Sequence, residues 1–131
     1  MIALDTNILV RLVTCDDEPQ AMRAKGIFDL HGSEDGALFV SDIVLVELCW
    51  TLDRSYRLTG QEIEEVLFAL LDNNTVKLES PAAVRDALTI FKKNGVGFSD
   101  CLIVAKAHHE GCSKTLTFDR RMASLPDVEV L

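Results

Sequence analysis

A chain of 131 residues with 48% hydrophobic residues is sized for one domain and apolar enough for a real core, which excludes a disordered chain. Its formal net charge of −8 argues against non-specific wrapping of DNA, which needs a basic face; it still permits a nuclease whose carboxylates are offset by cations, and it favours a basic partner. No apolar run approaches the roughly 20 residues that span a bilayer, and the apolar start carries Asp5 and no basic leader, so a cytoplasmic chain with no membrane segment is expected.

The chain opens with MIALDTNILVRLV, in which Ile2, Ala3 and Leu4 run straight into Asp5. This reads as a short buried strand ending at a carboxylate, followed at once by a helix with Ile8, Leu9, Leu12 and Val13 on one face. In an open parallel sheet, ligands and chemistry sit at the carboxyl ends of the strands, so Asp5 stands at the mouth of a site. Asp16-Asp17-Glu18-Pro19 starts a second helix, running to about Leu30 with Ala21, Ala24, Ile27 and Phe28 inward. After a loop, Ala37–Val40 is the second strand, and Ser41 or Asp42 caps a helix from Ile43 to about Arg57. Thr59 and Glu62 have capping-box spacing and open a helix through about Leu71.

Val76–Glu79 is the third strand. Ser80-Pro81 begins a helix to about Lys93, and Asn94-Gly95-Val96-Gly97 breaks it. Ser99 is placed as the cap of a helix from Asp100 to about Glu110, closed by Gly111. Thr115–Phe118 is a fourth strand ending at Asp119, and Val128–Val130 a fifth after a short helix. Strands alternate with helices and are continuously apolar, so the fold class is α/β, one domain over residues 1–131 with a parallel sheet covered on both faces. None of the four cysteines makes a CxxC pair, and Cys49 and Cys101 lie in apolar helical patterns, so reduced thiols are expected.

Four acids stand out from a surface population. Asp5 and Asp119 end strands, where a helix N-cap is the competing role. Glu47 has Ile43, Val44, Trp50 and Thr51 three and four residues away, which places its carboxylate on an apolar stripe, where burial costs several kcal/mol unless it is paired or metal-bound. Asp100 has Ile103, Val104 and Ala107 at helical spacing, although a first-turn acid also suits the helix dipole. Four carboxylates in one cleft repel, and a divalent cation removes the conflict; an all-oxygen donor set points to Mg²⁺ or Mn²⁺ and away from zinc. His108 and His109 are adjacent and cannot share a helix face, and His31 lies in a loop, so all three read as surface residues.

LDTNILVRL, VELCW, FSDCLIVAKA and TFDRRM, in this order and spacing, resemble the PIN domain, and within it the VapC-type toxins of bacterial and archaeal toxin–antitoxin modules. The resemblance covers the whole chain. It implies a three-layer α/β/α fold whose five-stranded parallel sheet has the order 3-2-1-4-5, with strands one and four side by side at the topological switch point. It implies that Asp5, Glu47, Asp100 and Asp119 line the metal site and that Thr6, Asn7 and Thr117 orient ligands or substrate. It further implies a cognate antitoxin with a basic inhibitory segment, and a homodimer.

The activity expected is that of a metal-dependent endoribonuclease. Asp5, Asp100 and Asp119 hold one or two Mg²⁺ or Mn²⁺ ions, and Glu47 ligates a cation or orients the attacking water. Arg11, Lys92, Lys93, Arg120 and Arg121 are candidates for RNA backbone contacts, each in competition with an ordinary surface role. A phospho-acceptor module would need clustered acids after the first strand and an acceptor Asp after the third, where Glu79-Ser80 stands. A phosphohydrolase with an aspartyl nucleophile would want Asp at position 7, which is Asn. A non-catalytic RNA-binding or protein-interaction module on the same fold is the remaining alternative.

Overall fold

The short apolar run at the start becomes β1 (Ile2–Ala3), and α1 (Thr6–Thr14) follows after Leu4 and Asp5. The computed structural model describes residues 1–131 and divides into two units, Met1–Ser80 and Pro81–Leu131.

The first unit continues with α2 (Glu18–His31), β2 (Leu38–Val40), α3 (Asp42–Arg54), α4 (Gly60–Asp72) and β3 (Val76–Leu78). Its three strands are parallel, with β2 in the centre: Ala3 pairs with Phe39, and Val40 with Leu78. Leu38 and Val40 on β2 are fully buried, as are Leu45, Leu48 and Leu52 along one stripe of α3 and Leu67 on α4. Those α3 positions repeat at i, i+3 and i+7, the spacing of one helix face.

Three helix starts, those of α2, α3 and α4, are set by a small polar residue. The Asp17 side chain accepts from the Gln20 amide, and that of Ser41 accepts from the Val44 amide. Thr59 and Glu62 form the reciprocal capping box that their spacing predicts. Such caps are typically worth about 1 kcal/mol each. The turn after α1 is tied down by Arg11, whose guanidinium donates to Asp16 Oδ1 at 2.9 Å and Gln20 Oε1 at 2.7 Å. Thr14 and Tyr56 hydroxyls also donate to Asp16.

The second unit holds α5 (Pro81–Asn94), α6 (Phe98–His109), β4 (Thr115–Thr117), a 3₁₀ helix (Arg120–Ser124) and β5 (Val128–Val130). The two long helices bury Ala83, Val84, Ala87 and Leu88 of α5 and Cys101, Leu102, Val104 and Ala105 of α6. Between them Gly95 takes the left-handed turn conformation at φ 64°, and Phe91 meets Phe98 edge to face with ring centres 6.2 Å apart. β4 and β5 pair in parallel, Thr115 with Val128 and Thr117 with Val130.

Several expectations change. The strand neighbours 3-2-1 and 4-5 are present, but the ladders form a three-stranded and a two-stranded sheet, not one sheet of five. Only β2 and β3 bury their alternate residues; Ile2 on β1 is 47% exposed and Leu116 on β4 is 55% exposed, so apolar content alone overstates the cover on short strands. α6 starts at Phe98, with Gly97 and not Ser99 at the cap position, because Phe98 itself is buried in the first turn. α3 ends at Arg54, three residues before the expected end, with the Ser55 amide donating to Thr51. No helix is long and apolar enough to cross a membrane.

Candidate functional site

In the first unit the strand register decides which residues share an edge. Ala3 abreast of Phe39, and Val40 abreast of Leu78, place Asp5, Ser41 and Glu79 level at the carboxyl ends of the three strands. Asp5 occupies the cap position of α1, yet its side chain makes no cap hydrogen bond; the carboxylate is exposed. The helix-cap role that competes for this residue is therefore not filled. Glu79, which the sequence does not single out, is spent on structure, accepting the Asp42 amide at 3.2 Å. The Ser80 hydroxyl donates to the buried Asp42 at 2.9 Å.

Glu47 corrects a sequence expectation. It is exposed, because α3 buries Leu45, Leu48, Cys49 and Leu52 and turns Ile43, Glu47 and Trp50 to the other side. Ile43 is 71% and Trp50 60% exposed, so the apolar stripe around Glu47 exists but is not core. The guanidinium of Arg54 lies 5.7 Å from the Trp50 ring centre. One oxygen of Glu47 is fixed: the buried Thr6 hydroxyl donates to Oε2 at 2.8 Å. Thr6 is the residue after Asp5, so this bond draws Glu47 to the start of α1. Asn7 is exposed in the same turn.

In the second unit Asp119 follows β4 by one residue and caps the 3₁₀ helix, its Oδ1 accepting the Arg121 amide at 2.9 Å. The Arg121 guanidinium closes on the same carboxylate, Nε to Oδ1 at 3.1 Å and Nη2 to Oδ2 at 2.9 Å. These Arg121 bonds hold the Asp119 carboxyl below the usual range. The Thr117 hydroxyl accepts the Asp119 amide at 3.0 Å, which fixes where the carboxylate starts.

Asp100, in the first turn of α6, is half-buried; burial and then the negative charge of Asp119 push its carboxyl up, against an opposing pull from Arg121. Desolvation and like-charge repulsion both disfavour its ionised form.

In the first unit Thr6, next to Asp5 in the chain, bonds Glu47, and in the second the charge of Asp119 acts on Asp100. In neither unit do three or more His, Cys, Asp or Glu side chains gather as a ready metal cage. Within each unit the donors on hand are of the type a hard divalent cation takes. All the donors are carboxylate oxygens, Asp5 has no competing cap bond, and the Asp100–Asp119 repulsion is what a cation relieves.

Among the candidate RNA contacts, Arg11 is committed to Asp16 and Gln20, and Arg121 to Asp119. Lys92, Lys93 and Arg120 are exposed. Cys49 and Cys101 are buried free thiols as expected, whereas Cys15 and Cys112 are free and exposed. His108 and His109 are exposed, and His109 meets Asp86 at 2.6 Å.

A VapC ribonuclease from Aquifex aeolicus (strain VF5) is 27% identical over 125 residues, covering 95% of this chain and 92% of that protein. A solved structure described as a toxin–antitoxin complex from Klebsiella pneumoniae aligns over 99% of this chain and 97% of that one, at 17% identity and a TM-score of 0.38. The sequence profile of the PIN domain matches residues 2–128, and the chain belongs to the PIN domain family.

Proposed function

We propose that the protein is a metal-dependent endoribonuclease and the toxin of a toxin–antitoxin pair. The observation that carries this reading is the 27% identity to a VapC ribonuclease over 95% of the chain. A single family match running from residue 2 to residue 128 supports treating the chain as one working domain.

On this reading Asp5, Asp100 and Asp119 hold Mg²⁺ or Mn²⁺, and Glu47 ligates a cation or orients the attacking water. When bound, the cation lowers the pKa of water and offsets charge on the phosphate and leaving oxygen. The chain's own residues set the geometry. Thr6 fixes one oxygen of Glu47 and leaves Oε1 for a water or a cation. Thr117 holds the backbone of Asp119. Asn7, exposed one residue on from Thr6, orients substrate. Lys92, Lys93 and Arg120 supply phosphate contacts from solvent-facing positions.

The partners follow from the same reading. The net charge of −8 suits a cognate antitoxin with a basic inhibitory segment. Ile43 and Trp50, exposed on α3, supply apolar area for a homodimer. A cytoplasmic location accords with the RNA substrate and with free thiols.

The test is cleavage of total RNA by the purified protein with Mn²⁺, Mg²⁺ or EDTA, with sequencing of new 5′ ends. Wild type should cut only with metal and Asp5→Asn should not cut. RNA binding in Mn²⁺ without any cleavage would instead establish a non-catalytic binding module.

A further inference from the structure

The second unit already carries a cation against Asp119. Arg121 gives three bonds to Asp119: its amide and Nε to Oδ1, and Nη2 to Oδ2. An ionised carboxylate offers about four lone-pair sites, so most of its capacity is taken. The fork is easily released, since the Arg121 side chain is 84% exposed and its only ion-pair partner is Asp119. Exposed ion pairs are weak because water competes for both charges.

We propose that Arg121 is an exchangeable counter-ion, which a divalent cation displaces from Asp119 and which then binds a phosphate of the RNA. This rests on the metal-dependent ribonuclease reading and adds a coupling between metal entry and substrate capture. The planar fork that fits two carboxylate oxygens fits two phosphate oxygens equally well. Occupation of Asp119 by the cation leaves the guanidinium without its partner and able to take a phosphate. The capping bond from the Arg121 amide to Asp119 keeps this residue in place while its side chain moves.

The experiment uses the full chain and reads metal binding without RNA, from the free Mn²⁺ signal in electron paramagnetic resonance. Arg121→Gln should bind Mn²⁺ about two- to fivefold more tightly than wild type, because the competing ion pair is gone. Arg85→Gln, which removes the same charge from the exposed face of α5, should stay nearer to wild type. With RNA, Arg121→Gln should raise KM and lower the log–log salt slope by about one. Arg121→Lys should recover the salt slope better than the KM, because it restores charge without the fork.

Equal or weaker Mn²⁺ binding by Arg121→Gln would overturn the displacement. An unchanged KM and salt slope would overturn the phosphate role. A wild type that binds Mn²⁺ and cuts RNA while Arg121→Gln matches it refutes only this inference. A wild type that does neither refutes the ribonuclease reading as well.

Discussion

Thr6→Val tests how Glu47 is held. The substitution keeps the shape of a side chain that is only 7% exposed and removes the hydroxyl that donates to Glu47 Oε2 at 2.8 Å. A hydrogen bond to a charged group contributes about 1.5–3 kcal/mol when desolvated, and less when one partner faces water. Glu47 is exposed, so the bond should be worth about 1 kcal/mol. The two residues lie 41 positions apart, so the bond is tertiary and does not form in the unfolded chain. A double-mutant cycle with Thr6→Val and Glu47→Ala, by urea unfolding in EDTA, isolates it. The coupling energy should be about 0.5–1 kcal/mol. In the nuclease assay Thr6→Val should lower kcat several-fold and leave KM nearly unchanged, because Glu47 is misplaced and RNA contacts are not. A coupling indistinguishable from zero, with kcat intact, would refute the idea that Thr6 positions this carboxylate.

Asp100→Asn should leave the melting temperature of the metal-free protein at pH 7 unchanged or raise it, since burial and Asp119 push the Asp100 carboxyl above its usual 3.8. Such a group binds its proton more tightly folded than unfolded, so wild-type stability falls as pH rises through that window; Asp100→Asn should flatten that slope in an EDTA melt series, and a fall in melting temperature at pH 7 would show Asp100 to be mainly structural. Leu52→Ala, at a fully buried site on α3, should cost about 2–5 kcal/mol in urea unfolding. With a thiol reagent, Cys15 and Cys112 should react at once in the native state. Cys49 and Cys101 should wait for unfolding, since burial pushes their thiols up to about 12 and about 11.

Local chemistry made much of the fold readable before any coordinates. Asp17, Ser41 and the Thr59–Glu62 box each announce a helix start because the bond they make lies within four residues. The strand that ends beside Asp5 is likewise written into consecutive residues. Glu47 shows where this stops. α3 carries apolar residues on two faces, so periodicity identifies a helix but not which face becomes core; Leu45, Leu48 and Leu52 win, and Ile43 and Trp50 stay outside. Its bond to Thr6 joins residues with no local signal between them. Arg121 was visible only as a basic residue, although its place two residues after Asp119 at a turn matches side-chain capping of a backbone amide. Glu79 was readable as the acid that follows β3, but its use on the Asp42 amide depends on the register of β2 and β3.

The chain has one tryptophan, and it sits in water one helical turn beyond Glu47, with the Arg54 guanidinium against its ring. Its emission therefore reports on a single known place, with no label to attach. Anything that settles on that face of α3 should shift the emission to the blue as the indole is dried, and an event elsewhere should leave the colour as it was. The protein thus carries its own optical gauge of who docks beside a candidate catalytic acid.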